Sequence, residues 1–151
     1  MSSSDCFDID QCQAAIEGRQ VPETLESTWH RRATIRGIRS SLEFATSPSV
    51  TALCSGNEDQ GAAFCRARNA MLIMSNMIPN LENPSHQPYC IWYPGFARED
   101  TYREIARRYP SMRYQVGRSC AAAGYTTLYK ELDLLPDVSI AEESPRERTR
   151  F

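Results

Sequence analysis

Apolar positions recur at helical spacing in several separate stretches of this chain, and the stretches are divided by Gly, Pro and small polar residues. Residues 1–7 read as frayed. Asp8 has the chemistry of an N-cap, with Gln11 three residues on to close a capping box. Ile9, Cys12 and Ile16 follow on one face, and Gly18 stands where that helix should end. After the linker "RQVPET", in which Pro22 suits a first helical turn, "ETLESTWHRRATIRGIRSSLEFA" reads as one long helix or two short ones. Leu25 and Trp29 share a face, whereas Ile35, Ile38 and Leu42 share a rotated one, with Gly37 as a place for a bend. "TSPSVTALCSG" is a connector or a short helix.

Asn57, with Gln60 three residues later, opens the clearest helix of the first half. Phe64, Ala67, Met71 and Met74 form its stripe, which Ile78 extends. The pattern then stops. Residues 79–96, "PNLENPSHQPYCIWYPGF", hold Pro79, Pro84, Pro88 and Pro94, and only "YCIWY" can run extended. A loop of that length is expected to be functional or a joint between parts of the structure. Beyond it, Tyr102, Ile105, Ala106 and Tyr109 fall at i, i+3, i+4 and i+7 after Asp100, and Pro110 limits the helix. Val116, Cys120 and Ala123 mark a second helix ending at Gly124. Leu128, Leu132 and Leu135 mark a third, ended by Pro136. Ser139 with Glu142 announces one more helix, but Pro145 falls in its second turn, where it costs about 3 kcal/mol. Residues 145–151 are therefore expected to fray.

The pattern predicts an all-α protein of helical hairpins, with one long Pro-rich loop, organised as a single domain over residues 1–151. Its parts are a helical N-terminal portion (8–78), the loop (79–96), C-terminal helices (100–135) and a tail (145–151). The run "AAAGYTTLYKEL" resembles part of an ankyrin-type repeat. Gly124 and Tyr125 match the turn between its helices, and Leu128, Tyr129 and Leu132 match the buried face of the second. Thr101, Ile105 and Ala106 in "TYREIARRYP" match a first helix. The family's opening Thr-Pro-Leu-His and its β-turn finger are missing, and no repeat of about 33 residues runs through the first part of the chain. The whole chain also resembles a group of small uncharacterised fungal proteins, in which the segment after "SIAEES" continues into a further helix. That likeness implies no activity, but it makes "PRERTRF" look like the end of an interrupted unit, whose exposed face would need a neighbour.

Composition narrows the function classes. The formal charge of −2 gives no general pull toward nucleic acid or membranes. Of the 17 basic residues only Lys130 is lysine, a skew that suits arginine's aptitude for packed surfaces but that genomic codon usage explains better. On a helix Arg32, Arg36 and Arg39 share a face that could follow phosphates, but a solvated face is the favoured reading, and nucleic acid is not expected as a partner. No run of about 18 apolar residues predicts a membrane span. "MSSSDCFDID" lacks the regions of a secretory signal, so a cytoplasmic protein is expected, with the nucleus left open. The six cysteines should then stay as thiols.

Cys54, Cys65, His86 and Cys90 have the right ligand chemistry for zinc but the wrong spacing, so no metal and no cofactor is expected. His30 and His86 are the only histidines, and neither sits in a nucleophile motif. "NPS" at Asn83 cannot be glycosylated, and Glu99–Asp100 and Glu142–Glu143 read as helix-start charges. No catalytic residue is assigned. All seven tyrosines lie between 89 and 129. Tyr102, Tyr109 and Tyr129 are expected in the core with hydroxyls reaching solvent, whereas "YCIWYPGF" is apolar enough to be covered, by helices or by a partner. The leading expectation is a non-enzymatic protein–protein interaction module that binds another protein or itself. Its contact residues would be Trp92, Tyr93, Phe96, Tyr125, Leu128, Tyr129, Leu132 and Leu135. The alternative is a small enzyme or small-molecule binder with a pocket near residues 86–96.

Overall fold

The computed structural model describes residues 4–56 and 58–134, with side chains from residue 9 onward and, after the gap, from residue 59. The expected Asn57 cap, Leu135, the stop at Pro136, the Ser139–Glu142 box and the tail lie outside the described residues. Among those described the chain is all-α: eight α-helices and two single 3-10 turns, with no strand. It divides into two compact units, between Leu72 and Ile73.

The first unit contains α1 (Ser4–Ile16), α2 (Thr28–Ser40), α3 (Leu42–Ala45), α4 (Pro48–Cys54) and most of α5 (Glu58–Met74). Helix α1 starts earlier than its capping chemistry indicated, so Asp8 lies inside it and residues 4–7 are helical. It ends as expected at Gly18, φ +71°. The Gly18 N–H donates to the Ala15 carbonyl and the Arg19 N–H to the Ala14 carbonyl, the paired bonds of a Schellman stop. Pro22 and Leu25 stay outside any helix, and three serines set the next starts. The Ser27 hydroxyl accepts from the Trp29 N–H at 3.1 Å, Ser41 from Phe44 at 3.2 Å and Ser47 from Val50 at 3.4 Å. The break falls at Ser41, whose extended backbone (φ −141°, ψ 116°) separates α2 from α3.

Gly37 makes no bend. It lies within α2, where a Cβ would come 1.9 Å from the Ala15 carbonyl oxygen. It is the point at which α1 and α2 touch backbone to side-chain-free backbone. Ile38, Phe44, Val50, Phe64 and Ala67 form the core of this unit.

The second unit holds the proline-rich segment, α6 (Glu99–Arg108), α7 (Arg113–Ala123) and α8 (Thr126–Leu132). Helix α6 runs from the Arg98 cap, and the distant Asn76 does the capping: its Oδ1 accepts from the Arg98 N–H at 2.7 Å and the Thr101 hydroxyl at 3.0 Å. Helix α7 packs on both α6 and α8, and Gly124 (φ +77°) turns the chain between α7 and α8. Helix α8 is shorter than the leucine spacing indicated, because Asp133 adopts a left-handed conformation (φ 48°) after Leu132. The Arg113 guanidinium caps the Leu132 carbonyl. Arg103 bridges Glu99 on its own helix at 3.0 Å and Glu131 on α8 at 2.9 Å.

Leu81 and Ile91 from the proline-rich segment, and Ala97 just after it, are buried with Tyr102, Ile105, Val116, Cys120, Leu128 and Leu132 in one core. The segment thus anchors itself in this unit's interior at a few positions, while much of it stays at the surface. Among the described residues no helix is long and apolar enough to cross a membrane.

Candidate functional site

The chain between Cys90 and Ala97 folds back over the helices because its backbone polar groups find partners there. The Tyr102 hydroxyl, at the centre of α6 and fully buried, donates to the Ile91 carbonyl at 2.8 Å and accepts from the Ala97 N–H at 3.1 Å. The Tyr125 hydroxyl, just before α8, donates to the Ala97 carbonyl at 2.8 Å. Both polar groups of Ala97 are therefore satisfied by tyrosines from other elements, which removes the cost of burying them. The two rings lie 6.1 Å apart. Burial lifts the Tyr102 phenol to about 12, so it keeps the proton that it donates. The hydroxyl does not reach solvent as expected from its place on the stripe; it clamps the loop.

Between the clamped ends the chain makes a tight outward turn. The Tyr93 N–H donates to the Gly95 carbonyl at 2.8 Å, Tyr93 has φ +71°, and the Tyr93–Pro94 peptide is cis. The Cys90 thiol donates to the Trp92 carbonyl at 2.9 Å. Three aromatic side chains gather on this turn. Trp92 lies parallel to Phe96, with centroids 6.2 Å apart, and meets Tyr93 edge-on at 6.4 Å. Trp92 is half-buried, while Tyr93 is 69% and Phe96 46% exposed. Tyr89 is exposed as well, with the Arg118 guanidinium 4.7 Å above its ring.

The structure thus brings Trp92, Tyr93 and Phe96 together at one surface position, with Tyr89 earlier in the same segment. It separates them in kind from the leucine stripe. Leu128 and Leu132 are buried in the second unit's core, packed with Ile91, Ala97 and Ile105. They are not the exposed adhesive edge that an interrupted repeat would leave, because α8 packs on α7 and α6 and sinks them into the shared core. Tyr125 and Tyr129 are half-buried against the same core. Tyr89 opens the aromatic stretch that the sequence singled out, but its pairing with Arg118 was missed, since an arginine far along the chain carries no joint signal with it.

Among the described residues no group of three or more His, Cys, Asp or Glu could hold a metal ion. His86 lies half-buried in the 3-10 turn Pro84–His86, and His30 is buried within α2. Glu99 and Asp100 pair with Arg103. Arg32 and Arg36 are exposed, Arg39 half-buried, and Arg31 is spent on the carbonyls of Leu25 and Glu26, at 2.8 and 2.6 Å. Two open clefts lie in the first unit, one lined by Asp10, Gln11, Val21 and Glu23, the other by Arg19, Glu43, Phe44 and Ser47.

Residues 92–149 match the family model of the YKP1 C-terminal domain. The match opens at Trp92, so the aromatic turn and the three helices that hold it fall within the similar segment. No curated protein and no solved structure matches the chain.

Proposed function

We propose that this protein is a non-enzymatic protein–protein interaction module, with the aromatic turn of residues 92–96 as its contact element. The observation that carries this reading is a pre-organised apolar projection. Tyr93 and Phe96 stand exposed beside Trp92, on a turn whose two ends are tied down by the hydroxyls of buried Tyr102 and half-buried Tyr125. Aromatic anchors of this kind dominate binding energy, and a fixed loop loses little entropy on docking. An ankyrin-like use of α6, α7 and α8 as a scaffold for the turn belongs to the same reading. A cytoplasmic interaction partner, or a second copy of the chain, is the expected occupant.

Photo-crosslinking from a benzoylphenylalanine placed at position 93, in the native host, tests this directly. A discrete adduct to one protein species, or to a second copy of the chain, is the expected result. Affinity measured for that species should fall by about 30-fold or more in the Tyr93→Ala, Phe96→Ala double variant, since an aromatic hot spot contributes about 2 kcal/mol or more. An adduct pattern no different from that of a probe at an exposed helix position would overturn the reading.

A further inference from the structure

Outside the aromatic turn, the first unit places two cysteines together. Cys54 is the last residue of α4 and half-buried; Cys65 lies in α5 and is 4% exposed. Their meeting is prepared by Gly61, one turn before Cys65. A Cβ there would lie 3.1 to 3.3 Å from the carbonyl oxygens of Gly56, Cys54 and Leu53. That is tighter than an ordinary Cβ contact, so the glycine eases the close passage of α5 by the end of α4, and the residue one turn on then faces Cys54.

The Cys54 and Cys65 thiols are hydrogen-bonded. Two further donors reach the Cys65 sulfur: Arg68 Nη2 at 3.6 Å and the buried Asn69 Nδ2 at 3.8 Å. The hydrogen bond to Cys65, with burial second, holds the Cys54 thiol well above the usual thiol range, so Cys54 keeps its proton and acts as the third donor. Convergent donors, one of them cationic, are the surroundings that favour a thiolate. The Arg68 guanidinium also carries a buried Nε–H with no acceptor. An oxygen attached to the Cys65 sulfur would give a donor on that group something to bind.

We propose that Cys54 and Cys65 form a peroxide-sensitive dithiol, in which Cys65 is the attacking sulfur and Cys54 the resolving one. The Cys65 thiolate attacks one oxygen of hydrogen peroxide. The O–O bond breaks, and the departing hydroxide takes up a proton to leave as water, so that Cys65 becomes a sulfenic acid. The Cys54 sulfur, losing its proton, then attacks the Cys65 sulfur, and the S–OH bond breaks to release a second water. Two thiols and one hydrogen peroxide give one disulfide and two waters. The half-buried Cys54 is the side from which a molecule as small as hydrogen peroxide enters.

The test uses the full reduced chain and stoichiometric hydrogen peroxide, followed by alkylation and mass spectrometry. Cleavage at Glu58 or Asp59 separates the two cysteines, so the disulfide is read as a linked peptide pair that a dithiol reductant splits. Expected are a Cys54–Cys65 link formed at least 10-fold faster than Cys12 or Cys90 is oxidised, and dimedone labelling of Cys65 in Cys54→Ser. Arg68→Met should slow the reaction several-fold while the linkage stays the same. Wild-type chain that oxidises Cys65 no faster than Cys12 and Cys90, or that forms mixed links without preference, overturns the proposal. That readout needs no variant, so a misfolded substitution cannot mask it.

Discussion

Tyr102 shows how one hydroxyl decides the course of a loop. Replacing it with Phe leaves the ring's packing intact but strands the Ile91 carbonyl and the Ala97 N–H in a dry interior. Unsatisfied buried groups cost about 1–3 kcal/mol each, so Tyr102→Phe should lower unfolding free energy in urea by about that amount or more. The same site sets an alkaline limit. The Tyr102 phenol is raised from 10.0 to about 12 and the Cys120 thiol from 9.0 to about 12, both chiefly by burial. Each group binds its proton more tightly folded than unfolded. The stability each contributes is complete below its unfolded value and is lost as pH rises toward about 12. Thermal melts should therefore fall from about pH 9, and Cys120→Ala should make the fall between about pH 9 and 10 shallower without abolishing it, because the Cys54 thiol is raised from the same starting value. The place of Tyr102 in the core was legible from its i, i+3, i+4 spacing. The destination of its hydroxyl was not, because its partners lie five and eleven residues earlier in a segment without any period.

Helix boundaries and crossings depend on pairs of elements, and there the sequence was legible only in part. Gly18, Gly124 and the stripe of α6 follow from local chemistry and appear where expected. The division of α2 from α3 turned on Ser41, one of several serines near that stripe, and a rotating apolar face did not point to it. Gly37 is the sharper case. A glycine inside a helical pattern announces either a bend or a close approach, and only the partner element distinguishes them. In an exposed helix Gly→Ala would stabilise by about 1 kcal/mol. At Gly37 the new methyl would sit 1.9 Å from the Ala15 carbonyl oxygen, so α1 must move away from α2. Strain of that size costs about 1–3 kcal/mol or more. The net sign is therefore reversed: Gly37→Ala should lower the melting temperature by several degrees, a shift of about 2–8 °C per kcal/mol in domains of this size range. A rise would mean that α1 and α2 do not meet there.

For the whole molecule, the question is which apolar residues belong to the interior and which face a partner, and periodicity places both on the same stripes. Leu132 continues the stripe of Leu128, yet it is 5% exposed, whereas Tyr93 is 69% exposed in a segment with no stripe at all. The two classes must respond oppositely to substitution. Leu132→Asp places a carboxylate in the second unit's core, where an unpaired charge costs several kcal/mol. That variant should lose helix signal and melt early, and any loss of binding would follow from unfolding. Tyr93→Ser with Phe96→Ser removes exposed side chains, whose loss usually changes stability by about 0.5 kcal/mol or less per site. Its circular dichroism and melting temperature should match the parent's, while its sedimentation with the cross-linked partner, or with its own copies at high concentration, should revert to that of the lone chain. Lost stability in the double serine variant, or retained association in it, would instead make the turn a cover for the core and nothing more. The pair of variants thus separates a folded surface that binds from a core that merely folds.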